Sequence, residues 1–243
     1  MDILSLIGST WLITALALLG AAALCYIPGG VNGAIVASHL FYQDDVRTHG
    51  SGNAGLTNFY RIYGAKHAWC VILVDMGKAA LAVTVGALIF GPEGALFGRY
   101  FGGLFCIVGH LFPFLYRFKG GKGILCSGMT LLLLDWRIAL VCWGTFLLLW
   151  ALTRYVSLGS VCAAVALPIM TAFVYHAEPH FAVIFALSLG MTALVLWAHR
   201  GNIVRLARGT ESKFEWHVNA PKEEPPAPEE GSAADAPDDA PQA

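Results

Sequence analysis

The chain has 243 residues, 57% of them hydrophobic and only 13% charged, about half the roughly 25% charge of an ordinary soluble domain. With a mean hydropathy of +0.63 and long uncharged runs, this excludes a water-soluble globular protein and predicts an all-α polytopic membrane protein. The formal net charge of −1 conceals an asymmetry: seven of the sixteen acidic residues, but one of the fifteen basic ones, lie in 220–243. Residues 1–219 therefore form a basic membrane domain. The Pro/Ala/acidic tail over 220–243 is too poor in apolar residues to build a core and is expected to be disordered.

The first apolar run extends from about Leu4 to Leu40, interrupted by Pro28, Gly29 and Gly30. No lysine or arginine precedes it, so it lacks the charged start of a cleaved signal peptide and reads as a kinked or broken membrane helix. His39 and Asp44 reproduce the H-x4-D spacing of soluble acyltransferases, but straddle a helix end without the companion glycine and proline signatures. That spacing reads as coincidence.

Next comes the stretch richest in chemistry, His49-Gly50-Ser51-Gly52-Asn53-Ala54-Gly55-Leu56-Thr57-Asn58-Phe59-Tyr60-Arg61. Its glycines let a ligand approach backbone N–H groups, while Ser51, Asn53, Thr57 and Asn58 add small polar side chains. Arg61 offers a planar fork suited to phosphate. A glycine turn entering a helix, with arginine behind it, is an anion cradle. Gly50, Gly52 and Gly55 also fit the dinucleotide pattern G-x-G-x-x-G, but that needs a preceding buried strand, and a polar connection stands there instead. The plainer alternative is a glycine-rich loop with no ligand.

Further apolar runs occupy about 69–90, 96–116, 124–136, 138–153, 157–175 and 180–198. With the first they predict a seven-helix transmembrane bundle whose fourth member is short. Asp75 and Lys78 lie one turn apart inside the second run and read as a structural pair that neutralises itself. Alternating the connections puts twelve of the fifteen basic residues on one side, with Arg99 and Arg137 opposite. By the positive-inside rule the N-terminus is outside and the C-terminus cytoplasmic. The six cysteines all sit in apolar runs without metal or redox spacing, so no metal is expected.

Three more connections fall on the basic side. Gly109-His110 leads to Phe118-Lys119-Gly120-Gly121-Lys122-Gly123, which lacks the spacing and hydroxyl of a Walker A loop yet suits a phosphate. The alternative for this loop is contact with anionic lipid headgroups. Ser157 and Ser160 follow Arg154, and His199 and Asn202 lie one turn apart ahead of Gly209-Thr210-Glu211.

These motifs together resemble the bacterial membrane glycerol-3-phosphate acyltransferases of the PlsY type, which use acyl phosphate. The resemblance covers about 20–215 and rests on three stretches in order: 50–61, 109–123 and 199–203. It implies a seven-helix fold with a cytoplasmic active site in a bacterial plasma membrane. It also implies acyl transfer from acyl phosphate to the sn-1 hydroxyl of glycerol 3-phosphate, giving lysophosphatidic acid at the first step of phospholipid synthesis. Carried over by position, Ser51, Arg61, Lys122, His199 and Asn202 are the catalytic candidates. Gly52, Asn53, Thr57, Asn58, Gly120, Gly121, Gly123 and Ser160 are the substrate-binding ones. No cofactor is implied; the partners are the two substrates, membrane lipid and the soluble enzyme that makes acyl phosphate, with no nucleic acid. Leu56 stands where the family usually has alanine. The alternative reading is a transporter or channel for a phosphorylated solute, which explains basic pockets but leaves few polar residues along a membrane path.

Overall fold

The computed structural model describes residues 3–215, with side chains from Thr10 onward, so the tail expected to be disordered lies outside the described residues. Within them the chain is all helical: α1 (Ile3–Gly29), α2 (Gly33–Tyr42), α3 (Leu56–Tyr63), α4 (Ala68–Leu111), α5 (Ile124–Leu134), α6 (Trp136–Thr153), α7 (Val156–Tyr175), α8 (Phe181–Ala198) and α9 (Arg200–Ala207). Five stretches are long and apolar enough to cross a membrane: Thr10–Tyr42, Ala68–Tyr116, Trp136–Thr153, Val156–Tyr175 and Phe181–Ala198. At 11 residues α5 is shorter than the roughly 20 a span requires. Phe173, Leu88 and Leu152 are among many large apolar side chains exposed outward, as expected where lipid rather than water is the solvent.

The second and third apolar runs are two limbs of α4. Gly91 has φ 70° and ψ −179° and is followed by Pro92, so the helical ladder breaks there and the chain reverses. The limbs pack backbone to backbone: a Cβ on Gly98 would collide with the carbonyl oxygen of Gly86, and one on Gly102 with that of Ala82. Contacts pair falling numbers on one limb with rising numbers on the other, the signature of an antiparallel hairpin.

The break expected near Pro28 falls at 30–32. Asn32 caps α2 by accepting from Ile35 N at 3.0 Å, and its Nδ2 donates to Ala54 O at 3.0 Å. The Asp75–Lys78 pair holds the same break from the other side. Lys78 Nζ lies 2.8 Å from Asp75 Oδ1 and also donates to Val31 O, while Asp75 Oδ1 accepts from Gly33 N at 3.0 Å. Both side chains are buried, so each charge has found its partner inside the bundle.

The connections form two groups. On one side, Arg47 bonds Tyr116 O and Lys119 O, Lys122 bonds Asn202, and Phe214 N bonds Arg154 O. On the other, Arg99 donates to Leu133 O and Tyr175 to Asp135. Between them lies a core that includes Tyr100, Ile107, Leu131, Ile138 and Met191, and a smaller cluster of Ile35, Val46, Phe59 and Val71 packs under the glycine stretch.

Gly98→Ala is expected to lower the melting temperature in detergent by about 2–10 °C, an overpacking cost of roughly 1–3 kcal/mol. Gly77→Ala, where a Cβ meets nothing within 4 Å, should leave it unchanged or higher. Equal melting of both variants would contradict the backbone contact.

Candidate active site

The glycine stretch is shaped by one asparagine. Gly50 (φ 57°) and Gly52 (φ 68°) adopt the left-handed conformation that only glycine takes at little cost. Across the turn they form, Asn58 Nδ2 donates to Val46 O at 3.0 Å and His49 O at 3.1 Å, and its Oδ1 accepts from Ser51 N at 3.0 Å. Asn58 borders the cavity, but its donors and one acceptor are committed to the loop. It clamps the cradle, a role beyond the ligand contact expected of it. What the clamp presents is Ser51, Gly52, Asn53, Thr57 and, in the last turn of α3, Arg61. No hydrogen bond to the Arg61 guanidinium is recorded among the described residues.

The lysine turn is held from beneath. Arg47, paired with Asp45 at 2.7 Å, donates to Tyr116 O and Lys119 O at 3.0 and 3.1 Å. Gly120 N donates to Leu111 O and Gly121 N to His110 O, both at 3.2 Å. Those two amides are spent and neither glycine lines the cavity, so both depart from their expected phosphate contact. The sequence needs glycine there for space: a Cβ at 120 would collide with His110 O, and one at 121 with Ala54 O and the His110 ring. Gly123 (φ 77°) starts α5 and does line the cavity, with Lys122.

Lys122 Nζ donates to Asn202 Oδ1 at 2.5 Å, and Asn202 Nδ2 donates to Glu211 Oε1 at 2.6 Å. Glu211 also accepts from Ser157 Oγ and from Arg205 Nε, each at 2.7 Å. Glu211 and Ser157 were not among the sequence candidates, and they complete a chain of hydrogen bonds across three elements. Only the placement of Glu211 in the stretch after His199 and Asn202 hinted at it. Burial pushes its carboxyl up, but the bonds from Ser157, Asn202 and Arg205 outweigh this and leave it below its ordinary value. Lys122 is pushed down to about 8, first by burial and then by Arg205 and Arg61, with Glu211 opposing.

His199 is buried, and its Nδ1 lies 2.8 Å from Val195 O. A carbonyl only accepts, so Nδ1 carries the proton and Nε2 keeps its lone pair. Burial lowers its pKa to about 4, so the ring is neutral at pH 7. Ser160 lines the same cavity with its hydroxyl donated to Val156 O at 2.8 Å.

These groups converge on one cavity of about 920 Å³. Its polar end carries Ser51, Thr57, Arg61, Lys122, His199 and Asn202, and its apolar end Leu131, Trp143, Leu167 and Met191. The arrangement can hold anionic groups beside an apolar tail. Asp75, His110 and Cys126 bring potential metal-ligand atoms within 4.8 Å of one another. Lys78 Nζ already sits 2.8 Å from both Asp75 Oδ1 and His110 Nδ1, so a lysine already engages two of those three ligand atoms.

Comparison with known proteins gives concordant results. The family model "Glycerol-3-phosphate acyltransferase" matches residues 19–209. A protein of that name from Finegoldia magna is 38% identical over 78% of this chain and 92% of its own length. One from Brucella anthropi is 39% identical over 82% and 94%. The crystal structure of PlsY (YgiH), an integral membrane glycerol 3-phosphate acyltransferase, in its glycerol 3-phosphate form superposes with a TM-score of 0.68 at 29% identity. That match covers 82% of this chain and 96% of that one. The lysophosphatidic acid form matches at the same TM-score.

A lysine with a pKa of about 8 is cationic below that pH and neutral above it, so phosphate affinity is expected to fall as pH rises through 8. Titration of the purified protein with inorganic phosphate between neutral and alkaline pH should show a loss of about 10- to 100-fold, a charged hydrogen bond being worth roughly 1.5–3 kcal/mol. Lys122→Met should bind weakly throughout and lack this alkaline step. A wild-type profile in Lys122→Met would remove the lysine from the site.

Proposed function

The chain belongs to the membrane glycerol-3-phosphate acyltransferases of the PlsY type, and on that premise we propose that it moves a fatty acyl group from acyl phosphate to the sn-1 hydroxyl of glycerol 3-phosphate. The products are lysophosphatidic acid and inorganic phosphate. The acceptor hydroxyl oxygen forms the new bond to the acyl carbon, the bond from that carbon to the phosphate oxygen breaks, and the hydroxyl proton leaves with phosphate.

One observation carries this reading. Arg61 and Lys122 come from separate glycine-rich turns yet face one cavity that ends in an apolar pocket. Two phosphates and one hydrocarbon tail are what the proposed substrates bring. Arg61, with Ser51, Thr57 and the 51–53 loop, holds one phosphate by bidentate and hydroxyl contacts. Lys122, aimed by Asn202, holds the other. His199, neutral with Nε2 free, accepts from the attacking hydroxyl or passes its proton to phosphate. An acyl phosphate is already activated, so positioning two bound reactants supplies much of the rate. No cofactor enters this scheme.

The seven-pass topology remains part of the proposal. Counting the two limbs of α4 and the short α5 gives seven crossings, with the N-terminus outside and the site facing the cytoplasm of a bacterial cell. The grouping of the basic connections around the cavity supports it. A cytoplasmic site also gives access to a soluble enzyme that makes acyl phosphate.

The test is a donor panel on purified protein with labelled glycerol 3-phosphate. Acyl phosphate is expected to give lysophosphatidic acid, and acyl-CoA and acyl carrier protein none. Arg61→Ala and Lys122→Ala should each lose at least about 100-fold in rate, since loss of a single positioned charge-stabilising donor costs that much, while melting like wild type. Product from acyl-CoA alone would overturn the donor. Wild-type rates in both variants would overturn the site.

A further inference from the structure

His110 ends the second limb of α4 and borders the cavity, though it is buried. Its Nδ1 lies 2.8 Å from Lys78 Nζ. An ammonium group offers protons and no lone pair, and Lys78 directs its others to Asp75 Oδ1 and Val31 O. Nδ1 must therefore accept, which places the ring proton on Nε2. Among the described residues no hydrogen bond to Nε2 is recorded, and the fully buried side-chain atom without a partner is Ser127 Oγ rather than this nitrogen. Nε2–H is thus an unspent donor on a side chain that borders the cavity.

Its position is the second observation. The ring lies against the lysine turn: a Cβ at Gly121 would strike Nε2, and one at Gly123 would come within 3.9 Å of Cδ2. From Gly123 onward α5 lines the apolar half of the cavity with Leu125, Gly128 and Leu131. His110 therefore stands at the junction of the phosphate-holding turn and the apolar pocket. In an acyl phosphate, the group that joins phosphate to hydrocarbon is the carbonyl.

We propose that His110 is a catalytic residue whose Nε2–H donates to the acyl carbonyl oxygen of the donor substrate as negative charge builds there. The inference rests on the acyl phosphate reading above and adds the group that stabilises the addition step. A neutral, fixed donor in a water-poor site is well suited to this, because it is in place before the charge develops. The ring gives up no proton. The acceptor hydroxyl forms the new bond to the acyl carbon, the bond to the phosphate oxygen breaks as the carbonyl re-forms, and the hydroxyl proton leaves with phosphate. Lys78 and Asp75 are positioning residues that fix the tautomer, as a buried carboxylate or carbonyl does for other active-site histidines.

The experiment compares His110→Asn with His110→Gln in acyl transfer from acyl phosphate, alongside calorimetric binding of glycerol 3-phosphate and thermal melting. The asparagine keeps an acceptor for Lys78 near the Nδ1 position and removes the donor at Nε2. The glutamine returns an amide N–H near Nε2. Asn is expected to lose about 100- to 1000-fold in kcat with glycerol 3-phosphate affinity within about twofold of wild type, and Gln to recover roughly tenfold of that loss. Wild-type kcat in His110→Asn would overturn the inference alone. So would equal losses in both variants accompanied by lost glycerol 3-phosphate binding, which marks a merely structural ring. A wild-type protein that binds glycerol 3-phosphate but makes no product from acyl phosphate would overturn the functional reading, and this inference with it.

Discussion

A lysine and an aspartate one helical turn apart, both removed from solvent, are the constraint on which the rest of this bundle depends. Neither charge is tolerable alone in a low-dielectric interior; removing one partner of such a pair typically costs about 3–5 kcal/mol. Satisfying both recruits two segments distant in sequence, the 31–33 break and the end of α4. Asp75 Oδ1 captures Gly33 N at the start of α2, and Lys78 captures Val31 O in the same break and His110 Nδ1 at the end of α4. The break near Pro28 is therefore a built joint. It leaves a carbonyl and an amide unsatisfied, and the buried pair takes both.

Each of those attachments leads to one of the two glycine-rich turns that border the cavity. Asn32, in the joint, holds Ala54 O and so fixes the glycine stretch that displays Ser51, Thr57 and Arg61. His110 accepts Gly121 N through its backbone and backs the turn that displays Lys122. Two cationic groups are thereby fixed in one cavity with Glu211 as the nearby counter-charge, which Ser157, Asn202 and Arg205 hold ionised. Burial brings the lysine down to about 8, with smaller contributions from Arg205 and Arg61. An anion bound between these cations would offset their mutual repulsion.

The polar positions of the site were largely legible in the sequence because they interrupt an otherwise apolar chain. Arg61, Lys122, His199 and Asn202, singled out through the family resemblance, line one cavity, and the turn at Gly91 and Pro92 divides two apolar runs that were readable as separate helices. What the sequence could not show is where each hydrogen-bonding group spends its capacity. Gly120 and Gly121 look like phosphate-binding glycines, yet their amides serve Leu111 and His110. Asn58 borders the cavity as a ligand contact would and also clamps its own loop. Glu211 and Ser157 meet only because the segment after α9 folds back toward α7, a tertiary event with no local signal. The Asp75–Lys78 pair was readable as structural from its spacing, but its reach to Val31, Gly33 and His110 was not.

Two separate cradles are proposed to hold two phosphate-bearing substrates at once in one cavity. This arrangement is tested most directly by calorimetric titration of glycerol 3-phosphate into the purified protein, with and without a saturating, non-transferable acyl phosphonate. A ternary complex is expected, with glycerol 3-phosphate binding at similar affinity in both titrations. Strict competition between the two would mean a single phosphate site and would contradict the account.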